Sequence, residues 1–501
     1  MIITLLNLSN HVITVSRFPS SPRWRSRKKQ FTGAEDLGSI YPSQVQNVQV
    51  NGPWNNHLLF ESLDQTYSRP ISNASNGCLM NPTSVAIRVT LSFDTSWQNL
   101  DVSTDCPWRV YCSQSSKGHL QVLILQKRSM SSFLSELPDS LPLSTLVLPG
   151  THNTMAFYGY PLSQCQSPST PLTVQLLQGI RALDVRLSVI KGELIAYHGI
   201  YPQRTPFTTI LASVHAFLTS PRGSKETIIM SIKQEDFTTT PKLTFSTLVR
   251  ETMMTNPGGW QESDDTHGLR NTGMWFLDNR IPRLGEVRGK VVLFSRFGGN
   301  GEGWQRGLEG MGIHPLTWPD SSKEGFEWMC KGTLVKTHDW YNIPSFLSIP
   351  EKVALSTRIL VPEVRPETSP NVDLYQPTYT ARIPQQPPLA ISFFSAASFP
   401  LSLPPIIARG FGWPNLGLGV EGVNSRFGRW LLDILDESYT PMDLETEKTA
   451  LNGDLSAPAV EPRIRGWVFM DYFDEPEHNG VIPLLIECNF LGRVSGEEGW
   501  P

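Results

Sequence analysis

Ser144-Thr-Leu-Val-Leu-Pro-Gly-Thr-His-Asn-Thr154 is an apolar run of strand character that stops abruptly on polar side chains. The same change recurs down the chain. The run 180–189 ends on Asp184 and Arg186, and 193–199 delivers Tyr197, His198 and Gly199. Run 226–233 ends on Ser231 and Lys233, and 290–296 on Ser295 and Arg296. Run 332–339 ends on His338 and Asp339 ahead of Trp340 and Tyr341, and 466–473 on Met470, Asp471 and Tyr472. A further strand is expected at 389–398. Uninterrupted apolar runs such as Thr227-Ile-Ile-Met-Ser-Ile232 suit strands buried on both faces. Between them, 206–218, 241–254, 344–356 and 427–435 read as helices, several opened by Pro. Repeated β-then-α units predict an α/β fold, a distorted TIM-type β/α barrel. In such a barrel the strand C-termini converge on one catalytic mouth. One polar residue at a strand end is ordinarily a cap; six strands ending this way mark a site.

Outside these runs the chain divides by pattern. Residues 1–130 carry short β-rich runs (2–8, 12–15, 85–93, 120–125) separated by Ser, Asn, Pro and Gly. That predicts an antiparallel, sandwich-like β-domain ahead of a barrel spanning 131–495. A Pro-rich stretch at 362–388 and an acidic one at 436–462 read as surface insertions. The basic cluster Arg23, Arg25, Arg27, Lys28 and Lys29 reads as a solvated loop. The sharper alternative is attraction to anionic lipid headgroups, about 1 kcal/mol per charge at a membrane surface.

Composition removes several classes. Only 18% of the 501 residues are charged, against about 25% in ordinary domains. Lys and Arg number 42 against 46 Asp and Glu, a net charge of −4. No global basic field therefore points to nucleic acid, although a locally cationic pocket is compatible with that total. The chain contains 38 Gly and 40 Pro, which indicates many loops but not disorder. The six cysteines form no CxxC and no zinc-spaced cluster. Free thiols are expected, with Cys106 and Cys112 near enough in sequence to bridge in an oxidising compartment. The N-terminus lacks a signal-peptide pattern and reads as a strand. No apolar run is long enough to cross a bilayer. A cytoplasmic or peripheral-membrane location is expected, and nothing indicates an oligomeric state.

Two histidines, several cations and carboxylates without a metal-ligand cluster suit an anionic transition state. Histidine serves as base and acid near neutrality. Arg and Lys stabilise charge developing on a phosphoryl group. A carboxylate such as Asp471, set against a histidine, fixes its tautomer. Phosphodiester cleavage by paired histidines is the chemistry this inventory fits best.

The ordered set Leu-Pro-Gly-Thr-His152-Asn153-Thr, Asp184-Val-Arg186, Tyr-His198-Gly, Met-Ser-Ile-Lys233, Ser-Arg296-Phe, Asp339-Trp-Tyr341 and Phe-Met-Asp471 resembles the catalytic X domain of phosphatidylinositol-specific phospholipase C, in its bacterial, metal-independent form. A β-rich segment ahead of the barrel is also similar to fungal members of that superfamily. The resemblance implies His152 as the general base on the inositol 2-hydroxyl, oriented by Asp471, and His198 as the general acid for the diacylglycerol leaving group. It implies Arg186 on the phosphoryl oxygens, supported by Asp184. Asn153, Lys233, Arg296, Asp339 and Tyr341 would serve substrate binding, the last by stacking on the inositol ring. No cofactor and no metal are implied, and the partner is a phosphatidylinositol-type lipid at a membrane surface. The product would be inositol 1,2-cyclic phosphate. One departure stands out: bacterial forms carry Asp where this chain has Asn153, so the tuning of Arg186 and His198 loses a negative charge. Two other readings stay open. One is a different phosphodiester, such as a glycosylated inositol lipid. The other is a non-catalytic lipid- or glycan-binding barrel.

Overall fold

A computed structural model of the chain describes residues 2–18, 35–49, 57–62, 84–88, 96–100, 106–116, 119–260, 273–362, 386–398, 400, 402–439, 463–475, 480–493, 495–496 and 499–500. The basic cluster at 23–29, the expected strand tail at 89–93 and most of both insertions lie outside the described residues.

The N-terminal strands are β1 (Ile2–Leu8), β2 (Ile13–Phe18), β3 (Glu35–Ile40), β4 (Gln44–Gln49), β5 (His57–Ser62), β6 (Ser84–Arg88), β7 (Trp97–Leu100), β8 (Trp108–Ser116) and β9 (His119–Gln126). They form two sheets, in the orders β4-β1-β9-β8-β7 and β3-β2-β5-β6. β1 and β9 run parallel, so the sheets are not purely antiparallel as the sequence suggested. Ile3 and Leu5 of β1 share one core with Ile13, Val15, Phe60, Trp108 and Val122, which makes the pair a sandwich. Leu6 and Leu8, on the other face of the same strand, join the barrel core. Burial on both faces explains why β1 carries apolar residues at both odd and even positions instead of alternating. Cys106 and Cys112 are buried free thiols and do not bridge.

The sandwich meets the barrel through one buried and two partly buried hydrogen bonds. Trp97 Nε1 donates to Ser425 O at 2.7 Å, Tyr111 OH to Gly480 O at 2.9 Å, and Gln121 Nε2 to Asp436 Oδ2 at 2.6 Å. The Trp97 ring lies so close to Gly428 that a Cβ there would stand 2.0 Å from it.

The barrel contains β10 (Val147–Thr151), β11 (Ala182–Ile190), β14 (Thr227–Gln234), β15 (Trp275–Phe276), β16 (Lys290–Arg296), β17 (Ser322–Cys330), β18 (Thr333–Asp339), β19 (Leu389–Phe393) and β22 (Gly466–Met470). β12 (Glu193–His198) and β13 (Tyr201–Pro206) form a hairpin off the end of β11, and β20 (Gly410–Trp413) and β21 (Leu418–Glu421) form a separate one. The order is β15-β16-β14-β11-β10-β22-β19-β18-β17, parallel from β15 to β18. All seven expected strands are present. The sheet curls until its two ends touch: Phe294 of β16 stacks on Trp328 of β17 at 6.4 Å and meets Trp467 of β22 at 6.2 Å. The distortion lies at the seam. β17 is antiparallel to β18, and Ile313 rather than β17 bridges to Phe294.

The four expected helices appear as Phe207–Leu218, Lys242–Thr255, Ile349–Arg358 and Val423–Tyr439. Pro206 and Pro241 sit at N-caps and Pro350 in the first turn, where a missing N–H costs nothing.

Candidate active site

β10 lies between β11 and β22, and Gly150 permits that close approach. A Cβ on Gly150 would stand 2.7 Å from Ala182 O and 3.0 Å from Val468 O. Two residues on, His152 leaves the strand with its backbone N–H bonded to Met470 O at 3.0 Å. Asn153 then turns with φ +44°, and across the sheet Tyr472 turns in the same way after Asp471 with φ +45°. The left-handed region is costly for side chains other than Gly, Asn and Asp, so the turn at Tyr472 must be held by surrounding contacts, whereas Asn153 adopts it readily. Gln166 Nε2 donates to His152 O and Met470 O at 2.8 and 2.9 Å. Asn424, on the Val423–Tyr439 helix, donates to the carbonyls of Asp471, Tyr472 and Glu475.

These turns set His152 Nδ1 2.8 Å from Asp471 Oδ1. On the other side of the ring, Arg186 NH2 lies 2.7 Å from Nε2. A guanidinium can only donate, so Nε2 carries the lone pair and Nδ1–H faces Asp471. This is the tautomer a general base requires.

Asp184 lies behind Arg186 and holds it, accepting from Arg186 Nε at 2.9 Å, Arg296 NH1 at 3.4 Å and Asn153 N at 3.1 Å. Burial alone would raise its pKa; the two guanidiniums outweigh that and hold it well below the usual carboxylate range. Arg186 is raised in turn, its carboxylate neighbours outweighing burial. Glu235 bridges the rest, pairing with Arg186 NH1 at 3.3 Å and Lys233 Nζ at 3.2 Å and accepting from Gly199 N at 3.1 Å. Arg296 stacks on Trp318, 3.8 Å from the ring centre, and Trp318 Nε1 donates to Asp339 at 2.9 Å.

His198 closes the arrangement, its ring centre 6.3 Å from that of His152. Its Nδ1 donates to Ser163 O at 2.8 Å, and among the described residues no carboxylate bonds to the ring. Burial, and after it the charge of Arg186, lowers its pKa to about 4. The amide of Asn153, at the position where the sequence comparison expected Asp, adds nothing to oppose this.

These side chains surround a cavity of about 590 Å³, of the size of small-molecule sites. Of the ten expected site residues, His152, Arg186, His198, Lys233, Arg296, Asp339, Tyr341 and Asp471 line it. Asp184 and Asn153 are buried behind the wall, Asn153 with its amide 3.5 Å from His152 Nε2. Tyr341 stands at the rim, half exposed, and bonds to Asp320. The expectation of a locally cationic pocket fails. Arg186, Lys233, Lys242 and Arg296 are matched in the wall by Glu235, Asp320, Asp339 and Asp471.

Sequence reasoning missed Glu235, Cys165, Trp318 and Asp320. Glu235 had a usable signal, lying two residues past Lys233 and so on the same face of an extended strand end. Cys165 comes from the long loop after β10, where no periodicity points to it. Its sulfur lies 3.6 Å from His198 Nδ1. Among the described residues, His152, Cys165 and Asp471 form a group able to hold a metal ion.

Paired histidines over a carboxylate and an arginine, at the mouth of a β/α barrel, can carry general acid–base chemistry. No protein-family model matches the chain. It is 33% identical over 177 residues to the 1-phosphatidylinositol phosphodiesterase of Listeria monocytogenes, covering 32% of this chain and 48% of that one. Against the Staphylococcus aureus protein of the same name it is 28% identical over 178 residues, covering 34% and 53%. The chain thus spans about half the length of the curated relatives it matches. The solved phosphatidylinositol-specific phospholipase C from Listeria monocytogenes aligns with a TM-score of 0.44 at 22% identity, over 72% of this chain and 99% of that one. The chain is similar to these proteins over about a third of its own length.

Proposed function

We propose that the chain is a phosphodiesterase that cleaves phosphatidylinositol-type lipids at a membrane surface, without a metal, through an inositol 1,2-cyclic phosphate. The observation that carries this reading is His152, held as a base between Asp471 and Arg186 and facing a second histidine across the pocket. His152 Nε2 takes the proton of the inositol 2-hydroxyl, whose oxygen attacks phosphorus. The diacylglycerol oxygen leaves with a proton from His198. Arg186 moves from Nε2 to the phosphoryl oxygens. The inositol hydroxyls then fall to Lys233, Arg296 and Asp339, and Tyr341 covers the ring. In the empty site His198 is neutral at pH 7. The substrate phosphate supplies the negative charge that offsets Arg186 and lets His198 hold its proton.

The mouth supports a lipid substrate. Phe237 and Leu316 line the pocket and are exposed, and Phe411, Trp413 and Leu418 of the β20–β21 hairpin and Leu347 are exposed as well. Exposed apolar side chains at the pocket mouth, here Phe237 and Leu316, suit a lipid surface. Among the described residues no helix is long and apolar enough to cross a membrane. The reading divides the work at about residue 130, with the barrel catalytic and the sandwich a brace. Phosphorus NMR of the product from phosphatidylinositol vesicles tests the reaction. A cyclic phosphodiester signal that persists in excess chelator is expected. Phosphoinositol formed without that intermediate, or turnover abolished by chelator, would overturn it.

A further inference from the structure

We propose that the base end of the pocket is also a binding site for a soft divalent cation such as Zn²⁺, held by His152, Cys165 and Asp471, and that its occupancy shuts the reaction off. The three side chains arrive from separate places: the end of β10, the loop behind it and the end of β22. Each presents one ligand atom within 4.8 Å of the other two. Cys165 is a free thiol, buried as a residue, yet it lines the pocket together with His152 and Asp471. An ion that enters the pocket meets His152 and Asp471 first and reaches the buried sulfur as the side chains shift.

Thiolate, imidazole and carboxylate are the donors zinc takes, at about 2.0–2.3 Å. Around such an ion, neighbouring ligand atoms stand about 3.3–3.7 Å apart. The trio reaches that spacing by small side-chain movements, in which the 2.8 Å contact between His152 Nδ1 and Asp471 opens slightly. Three protein ligands leave a fourth position open toward the pocket, as in open zinc sites. A sulfur donor selects against Mg²⁺ and Ca²⁺, which need several oxygens.

The proton balance explains the inhibition. The thiol loses its proton to solvent as the ion binds, so affinity rises with pH. His152 remains neutral. Ligation through Nδ1 moves its ring proton to Nε2, so Arg186 NH2 must swing off that atom, and Nε2 can no longer accept a proton from a hydroxyl. The inhibitory consequence rests on His152 acting as the base; the binding does not.

The test uses the full-length protein, stripped with chelator, desalted and titrated with Co²⁺. A near-ultraviolet thiolate-to-cobalt charge-transfer band is expected, saturating at one equivalent and displaced by Zn²⁺. Cys165→Ser should lose the band and bind at least about ten-fold more weakly, and Asp471→Asn should keep the band with weakened binding. Absence of the band from folded protein, or its survival in Cys165→Ser, overturns the site. In a parallel assay Zn²⁺ should inhibit phosphatidylinositol turnover, each protein being normalised to its own metal-free rate. Inhibition of Cys165→Ser at the wild-type zinc concentration would also overturn it. A cobalt band without any turnover would sink the proposed reaction and leave the metal site standing.

Discussion

Asp471 acts on His152 by holding its ring proton at Nδ1, so the amide in Asp471→Asn removes the group that selects the base tautomer. Turnover of phosphatidylinositol should fall by about 10²–10⁴-fold, with KM changed much less, as steady-state kinetics would read. Asn153 accepts φ +44°, and Asp tolerates that conformation equally well. Asn153→Asp therefore adds a negative charge without remaking the turn, and should raise the His198 pKa above about 4. Titration of the ring proton by NMR would show the shift, and an unmoved pKa would contradict it. Stability carries the same signature. Unfolded His198 takes its proton near the ordinary 6.5, but the folded protein takes it only at about 4. The unfolded state thus binds more protons between those values, and stability climbs with pH through that window. His198→Gln should be less acid-sensitive than the parent by up to about 3 kcal/mol, measured as thermal midpoints at pH 4.5 and 7. Most of the site was legible because each residue interrupts an apolar run. Glu235 was hidden behind polar Gln234, and Cys165 lies in a loop whose path no periodicity records.

Strands buried on both faces are mostly apolar, which is why β10, β11, β14, β16, β19 and β22 could be read from sequence; β18, interrupted by Lys336, was read from its shorter apolar start and polar end. Helices of six or seven residues, such as Leu172–Leu177, Pro404–Arg409 and Val481–Glu487, make fewer than two turns and show no repeat to read. β17 escaped for another reason: Ser322-Lys-Glu-Gly-Phe-Glu-Trp-Met-Cys330 is an edge strand with charged and apolar residues mixed. The motif glycine is a different case, because its requirement is spatial. Gly150→Ala must push β10 away from β11 and β22, since backbone oxygens stand within 3.0 Å of the new Cβ. Overpacking of this kind costs about 1–3 kcal/mol. It also displaces His152 two residues on, so Gly150→Ala should lower both the urea midpoint and kcat.

A continuous path joins the sandwich to the chemistry. Trp97 bonds to Ser425 and fills the space that Gly428 leaves open, and the same helix carries Asn424, which braces the turn after Asp471. Trp97→Ala should cost about 3–5 kcal/mol as a buried large-to-small change. It should also reduce kcat under conditions where the variant is still folded. A variant that lost stability and kept wild-type kcat would show that the sandwich only stabilises and does not position. Strand spacing in the sequence suggested a division near residue 130, but the two-faced burial of β1, which puts Ile3 and Leu5 in one core and Leu6 and Leu8 in the other, required the structure. The matched charges of the pocket wall have a consequence for the solution around it. Arg186, Lys233 and Arg296 each have a carboxylate beside them, so the mouth projects little field beyond the protein. Mobile ions therefore have little to screen. Encounter with substrate should be nearly indifferent to ionic strength, with recruitment left to the apolar rim.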